Sequence, residues 1–196
     1  MVVSNDCTST MVWTLASFDW WKRQICLARR LQELNLTASR IHGPIPSEFD
    51  RLRSLGQLSL DGNLLSGSIP VSVGNISGLQ HLSLAANSLS SVIPPSLWSL
   101  SSLLELDLSG NSFEGSLPPD VGNLKNIYRM DLSANQLSGI IPNAIGQLQM
   151  LEFLDMSHNL FRGPIPQILG GLVSIKYLNL SSNDLTGAIP GSLAKL

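Results

Sequence analysis

An asparagine-type position returns every 24 residues along this chain, at Ser39, Asn63, Asn87, Asn111, Asn135, Asn159 and Asn183, without insertion or deletion between copies. Each stands in one frame, seen in full from Leu103 to Pro118 as Leu-Leu-Glu-Leu-Asp-Leu-Ser-Gly-Asn-Ser-Phe-Glu-Gly-Ser-Leu-Pro. A fixed period of this length marks stacked repeats, units that cannot bury an apolar face alone and do so against their neighbours. It overrides the ordinary expectation that 196 residues make one or two globular domains, because a solenoid grows in one dimension.

Within each copy two apolar residues flank a polar one. Leu34 and Leu36 do so around Asn35, and Leu58/Leu60, Leu82/Leu84, Leu106/Leu108, Met130/Leu132, Leu154/Met156 and Leu178/Leu180 repeat it. This period of two predicts a half-buried strand. Stacked in register, the strands make a parallel sheet with neighbours about 4.8 Å apart, and the rest of each repeat supplies the crossover that parallel pairing needs. The asparagine carboxamide carries donors and an acceptor, so it is expected to satisfy backbone groups where the chain leaves the strand. Repeated once per turn it forms a buried ladder, which Ser39 interrupts in an atypical first unit. A second apolar column follows at Ile41, Leu65, Leu89, Phe113, Leu137, Phe161 and Leu185, then a glycine column in which Ser91 is the departure. Pro46, Pro70, Pro94, Pro118, Pro142, Pro166 and Pro190 close the frame; their fixed φ suits an edge or turn. Val121 and Leu124, three apart, predict a short helical turn on the convex side. Each buried Leu or Ile contributes about 1.5–3 kcal/mol, which gives such a stack ample core.

Composition narrows function by exclusion. A net charge of −2 leaves no electrostatic footprint for nucleic acid, and the cluster of Lys22, Arg23, Arg29 and Arg30 reads as solvated surface. No apolar run is long enough to span a bilayer. Met1 to Asn5 carries no positive charge, and Asp6, Asp19 and Lys22 interrupt any apolar core, so no secretory signal is read here. Cys7 and Cys26 are too few for a disulfide framework and lack metal-ligand spacing. One bridge in an oxidising compartment and two free thiols both fit. His42, His81 and His158 fall in different columns, and the glycines recur with the period instead of clustering as a phosphate loop. The expectation is a chain that is not an enzyme and holds no cofactor or metal.

The frame Leu-x-x-Leu-x-Leu-x-x-Asn-x-Leu-x-Gly-x-Ile-Pro, carried for example by Leu58 to Pro70, resembles the plant-specific leucine-rich repeat from about Leu31 to Leu196. It looks most like the ectodomains of plant receptor-like kinases and receptor-like proteins. The resemblance implies a mostly β repeat solenoid, a right-handed leucine-rich repeat superhelix. A parallel sheet would line its concave side, and short 3₁₀ or helical turns its convex side. It also implies a cap before the repeats. Trp21-Lys-Arg-Gln-Ile-Cys26 keeps the family's Trp-to-Cys spacing but has Arg23 and Gln24 in place of Gly and Val, and Cys7 lies farther off than the usual partner. Residues 1–30 are therefore expected to be a degenerate N-terminal cap and 31–196 a solenoid of seven repeats. Because the chain stops where an eighth strand would begin, it reads as a fragment, a truncated product or a shortened relative. By resemblance its place is the plasma membrane or the extracellular space. The functions implied are recognition of a peptide or protein ligand with a co-receptor kinase, inhibition of a pathogen hydrolase, or none in a remnant.

Since the constant columns are structural, recognition is expected in the variable, outward strand positions. One column reads Glu33, Gln57, His81, Glu105, Arg129, Phe153, Tyr177. Arg129, Phe153 and Tyr177 are neighbours there, and aromatics beside Arg suit a contact hot spot; ordinary surface fits too. The next column reads Asn35, Ser59, Ser83, Asp107, Asp131, Asp155, Asn179. Asp107, Asp131 and Asp155 stacked at strand spacing repel one another and would welcome a cationic ligand group, although the family frame itself often has Asp at this place. Three glycosylation sequons stand at Asn35, Asn75 and Asn179. Asn75 is expected on a loop and is the favoured acceptor, whereas glycans on Asn35 or Asn179 would obstruct the strand face.

Overall fold

The computed structural model describes residues 30–196. The expectations for Cys7, Cys26 and the Trp21–Cys26 element lie outside the described residues. The leucine alternation folds as strands Glu33–Asn35, Gln57–Ser59, His81–Ser83, Glu105–Asp107, Arg129–Asp131, Phe153–Asp155 and Tyr177–Asn179. They join in chain order into one seven-stranded parallel sheet. The period sets its register: Leu34 faces Leu58, Leu106 faces Met130 and Leu154 faces Leu178. The middle residue of each strand turns inward, so Leu58, Leu106 and Leu154 are buried. The first and third residues face the concave side, where residues one period apart stand side by side at strand spacing.

A second sheet, absent from the expectations, follows each asparagine. His42–Gly43, Leu64–Gly67, Ser88–Val92, Ser112–Ser116, Gln136–Gly139, Leu160–Pro164 and Asp184–Thr186 are also strands, joined into another seven-stranded parallel sheet. The alternation is present in the sequence, since Leu65 and Ile69 are buried while Leu64 and Ser66 face out. A glycine at or next to the last residue of most of these strands conceals it. Here partners lie 22 residues apart, as in Ser90 with Ser112 and Arg162 with Asp184. The sheet is thus sheared by two residues per repeat against the first.

The asparagine ladder joins the two sheets. Asn135 Nδ2 donates to the carbonyls of Leu108 at 3.0 Å and Leu132 at 3.2 Å, and its Oδ1 accepts the Phe113 N–H at 3.0 Å. Asn63, Asn87, Asn111, Asn159 and Asn183 repeat the pattern. In the first unit Ser39 receives the ladder through its backbone N–H, which donates to Asn63 Oδ1. The residue before each asparagine is left-handed, including non-glycines such as Ala86, Ala134 and His158 at φ of 52°, 52° and 53°. That turn aims the carboxamide inward, at a cost of roughly 1–2 kcal/mol wherever a Cβ is present.

Each proline then leads into a five-residue 3₁₀ turn, such as Val71–Asn75 and Pro119–Asn123, on the convex side. Within these turns Gly74, Gly146 and Gly170 lie against the next turn so closely that a Cβ would come within 2.6 Å of its backbone oxygen. In the third repeat that position is Trp98, fully buried in the core. No helix among the described residues is long and apolar enough to cross a membrane.

Candidate functional site

Four adjacent concave strands, Glu105–Asp107 through Tyr177–Asn179, bring together the six residues named from the sequence. In-register pairing sets Arg129 beside Phe153, and Phe153 beside Tyr177. Their flat groups therefore stack. The Arg129 guanidinium carbon lies 3.7 Å from the Phe153 ring centroid. The Phe153 and Tyr177 rings are 4.5 Å apart and 5° from parallel. Tyr177 is 44% exposed, so the stack is open to solvent at this end.

The same pairing sets Asp107 beside Asp131 and Asp131 beside Asp155. Each carboxylate first serves its own turn. Asp107 Oδ1 accepts the backbone N–H and the hydroxyl of Ser109, at 3.0 and 2.7 Å. Asp131 and Asp155 do the same with Ser133 and Ser157. The second oxygens differ. Asp131 Oδ2 faces Arg129 Nη2 at 3.5 Å. Asp155 Oδ2 accepts the Tyr177 hydroxyl at 3.2 Å and Asn179 Nδ2 at 3.0 Å. The column is therefore partly satisfied from within, not the open row of charges that the spacing alone suggests.

Their ionisation follows these surroundings. Burial pushes the Asp131 carboxyl above its ordinary value; hydrogen bonds from Ser133 oppose this, and the charges of Asp107 and Asp155 reinforce it. Burial also acts upward on Asp155, but the donors of Ser157, Asn179 and Tyr177 outweigh it and hold that carboxyl below the ordinary range.

The other sequence candidates are scattered. Asn35 is exposed at the far end of the same sheet, with its Oδ1 taken by the Thr37 N–H. Asn75 is exposed on the convex side, where it is the last residue of a 3₁₀ turn instead of a loop residue. Asn179 lies inside the cluster. Sequence reasoning missed two neighbouring contacts, His81 with Glu105 at 3.7 Å and Lys176 with Glu152 at 2.7 Å. Both join residues one period apart, and listing charges down each column reveals them. Among the described residues, no group of His, Cys, Asp and Glu is placed to hold a metal. The cluster offers contact chemistry: a preordered aromatic stack, one guanidinium and three carboxylates.

The chain is similar to several known proteins. Sequence profiles described as leucine rich repeat match residues 68–113 and 115–161, and again 174–196. The plant peptide hormone receptor RGFR1, solved in complex with RGF2, is similar over 88% of this chain and 28% of its own, with 34% identity and a TM-score of 0.85. The Arabidopsis receptor kinase HAESA, solved with the peptide hormone IDA and the co-receptor SERK1, is similar over 88% and 29%, with 35% identity and a TM-score of 0.85. The BIR3–SERK2 complex from Arabidopsis thaliana is similar over 68% of this chain and 70% of that one, with 36% identity and a TM-score of 0.61. The chain thus spans less than a third of the length of the two hormone-receptor chains. No curated protein sequence matches it.

Proposed function

The chain belongs to the leucine-rich repeat family, and from that premise we propose that it is a recognition module binding a peptide or protein ligand across concave strands four to seven. Arg129, Phe153 and Tyr177 form the contact ridge, with Asp107, Asp131 and Asp155 beside it. The observation that carries this reading is the stack itself. Three large flat side chains are held in register before any ligand arrives, so little ordering entropy remains to be lost on binding. Aromatic and Arg anchors of this kind dominate binding energy in protein interfaces.

The hormone receptors RGFR1 and HAESA, each solved with a peptide, support the ligand class, and the SERK1 in the HAESA complex supports a co-receptor kinase as second partner. A place at the cell surface or outside it, a role in signalling or immunity and a capping role for residues 1–30 accompany this reading, as does glycosylation at the sequons.

The test is retention of peptides from a plant extracellular extract on the immobilised chain, quantified by mass spectrometry. Retained peptides are expected to be lost from the triple variant Arg129→Ala, Phe153→Ala, Tyr177→Ala. Truncating Phe153 alone is expected to weaken binding by about 2 kcal/mol, roughly 30-fold. Equal retention by the triple variant and the parent would place the ligand elsewhere.

A further inference from the structure

Asn179 touches both halves of the cluster, and its polar atoms are fully committed. Its Oδ1 accepts the Ser181 N–H at 3.1 Å and the Ser181 hydroxyl at 2.8 Å. Its Nδ2 donates to Asp155 Oδ2 at 3.0 Å and to the Tyr177 hydroxyl oxygen at 3.3 Å. The Tyr177 hydroxyl in turn donates to the same Asp155 oxygen at 3.2 Å. A carboxamide nitrogen carries two hydrogens, and both are used to close this triangle of Asp155, Tyr177 and Asn179. The triangle ties the hydroxyl end of the ring that ends the stack.

Asn179 is also the acceptor of an N-x-Ser sequon. N-glycosylation forms a bond from Nδ2 to the anomeric carbon of a lipid-diphosphate-linked oligosaccharide. The bond from that carbon to the diphosphate oxygen breaks, the diphosphate leaves with its electron pair, and Nδ2 loses one proton. One hydrogen then remains where the triangle needs two, and a bulky polar chain stands on the concave face. Asn75 presents the opposite case. It is exposed at the end of a convex turn, remote from the stack in the fold, and its side chain has no hydrogen-bond partner among the described residues.

We propose that Asn179 is a positioning residue of the concave site and that its glycosylation and the closed triangle are mutually exclusive, so that the competent form carries sugar at Asn75 and none at Asn179. This rests on the concave-face reading for its meaning. Its test uses no ligand, so the two can fail separately.

The full chain is produced unglycosylated in bacteria and, behind a secretion leader, in eukaryotic cells. In the bacterial protein, Asn179→Ala is expected to shift the Phe153 and Tyr177 ring resonances and to raise the titration midpoint of the Asp155 carboxyl, both read by NMR. Ser181→Ala abolishes the sequon and removes the hydroxyl bond to Oδ1 but keeps the Ser181 N–H and both Nδ2 hydrogens, and is expected to change both signals less than Asn179→Ala does. In the secreted protein, isotope-labelled deglycosylation and mass spectrometry are expected to find Asn75 occupied. Molecules bare at Asn179 are expected to show the parent ring signature. Any fraction occupied at Asn179 is expected to show the Asn179→Ala signature, and a pool with none occupied agrees with the proposal. An unoccupied Asn75, an Asn179-glycosylated fraction with the parent signature, or an Asn179→Ala variant with unchanged rings and Asp155 titration would each overturn it.

Discussion

Asp131 and Asp155 occupy the same column one strand apart, yet their carboxyls shift in opposite directions. The difference lies in the donors each can reach. Both use one oxygen on the serine two residues on, but Asp155 alone adds the Tyr177 hydroxyl and the Asn179 amide. The sign of the stability effect follows. A carboxyl depressed in the folded state contributes stability that is present above its unfolded value, near 3.8, and is lost as pH falls through the lower folded value. A raised carboxyl does the reverse, since folding then favours its protonated form and stability recovers as pH falls through the raised value. Asp155→Asn is therefore expected to destabilise the chain at neutral pH, with the gap to the parent closing below 3.8. Asp131→Asn is expected to be tolerated better at neutral pH, because it removes a charge that is costly to bury. Denaturant midpoints of the three proteins across that pH range check both statements, and a pH-independent Asp155→Asn deficit would refute the assignment.

Among elements, the concave strands were legible because one face is apolar and the other varies, so Leu58, Leu82 and Leu106 announce their direction. The second sheet was not, because its alternation runs through Gly67, Gly115 and Gly139, and glycine carries no hydropathy signal. The stack was half legible. Periodicity placed Arg129, Phe153 and Tyr177 side by side, but the ties from Tyr177 and Asn179 to Asp155 depend on side-chain direction, which periodicity does not encode. Trp98 shows a similar limit at the convex turns. Four of its repeat-equivalents, Gly74, Gly122, Gly146 and Gly170, each leave 3.1 Å or less between a hypothetical Cβ and the next turn's backbone oxygen; the other two are Asp50 and Ala194. The turn Pro95–Ser99 must stand off its successor to admit a Cβ at all, and the indole is wholly buried there, with its Nε1 unbonded. The neighbouring turns are tied to their own repeats by buried apolar anchors, Val73 on one side and Val121 on the other, which oppose collapse onto the space. Trp98→Ala is therefore expected to cost about 3–5 kcal/mol, the range for truncating a large aromatic in a core, measured by urea unfolding. A loss below about 1 kcal/mol would mean that the turns close over the gap as they do at the glycines.

At the scale of the whole molecule, stability in a solenoid is a sum of repeat terms and nearest-neighbour interfaces, so identical substitutions differ by position. Leu106 and Leu178 are the same residue type at the same strand position, three repeats apart, with Leu106 fully buried and Leu178 only partly covered. The fade is collective in the seventh repeat, where Leu180, Leu185 and Leu193 are also half-buried and Ile189 is 79% exposed. Ile141, its equivalent two repeats earlier, is 2% exposed. Tyr177 and Asn179 lie on this same thinly covered unit, so the Tyr177 end of the aromatic stack rests on the least buried part of the described solenoid. Two consequences follow for the 196-residue polypeptide. Leu106→Ala should cost about 3–5 kcal/mol. Leu178→Ala should cost less than half of that in global unfolding, because it removes less buried surface. Hydrogen exchange should distinguish them further: Leu178→Ala should speed exchange in Tyr177–Asn179 and Asp184–Thr186 while leaving Glu105–Asp107 protected, as expected for local opening of a thinly covered unit. Uniformly faster exchange along the chain would instead mean that the repeats unfold as one cooperative block and that the stack shares the stability of the centre.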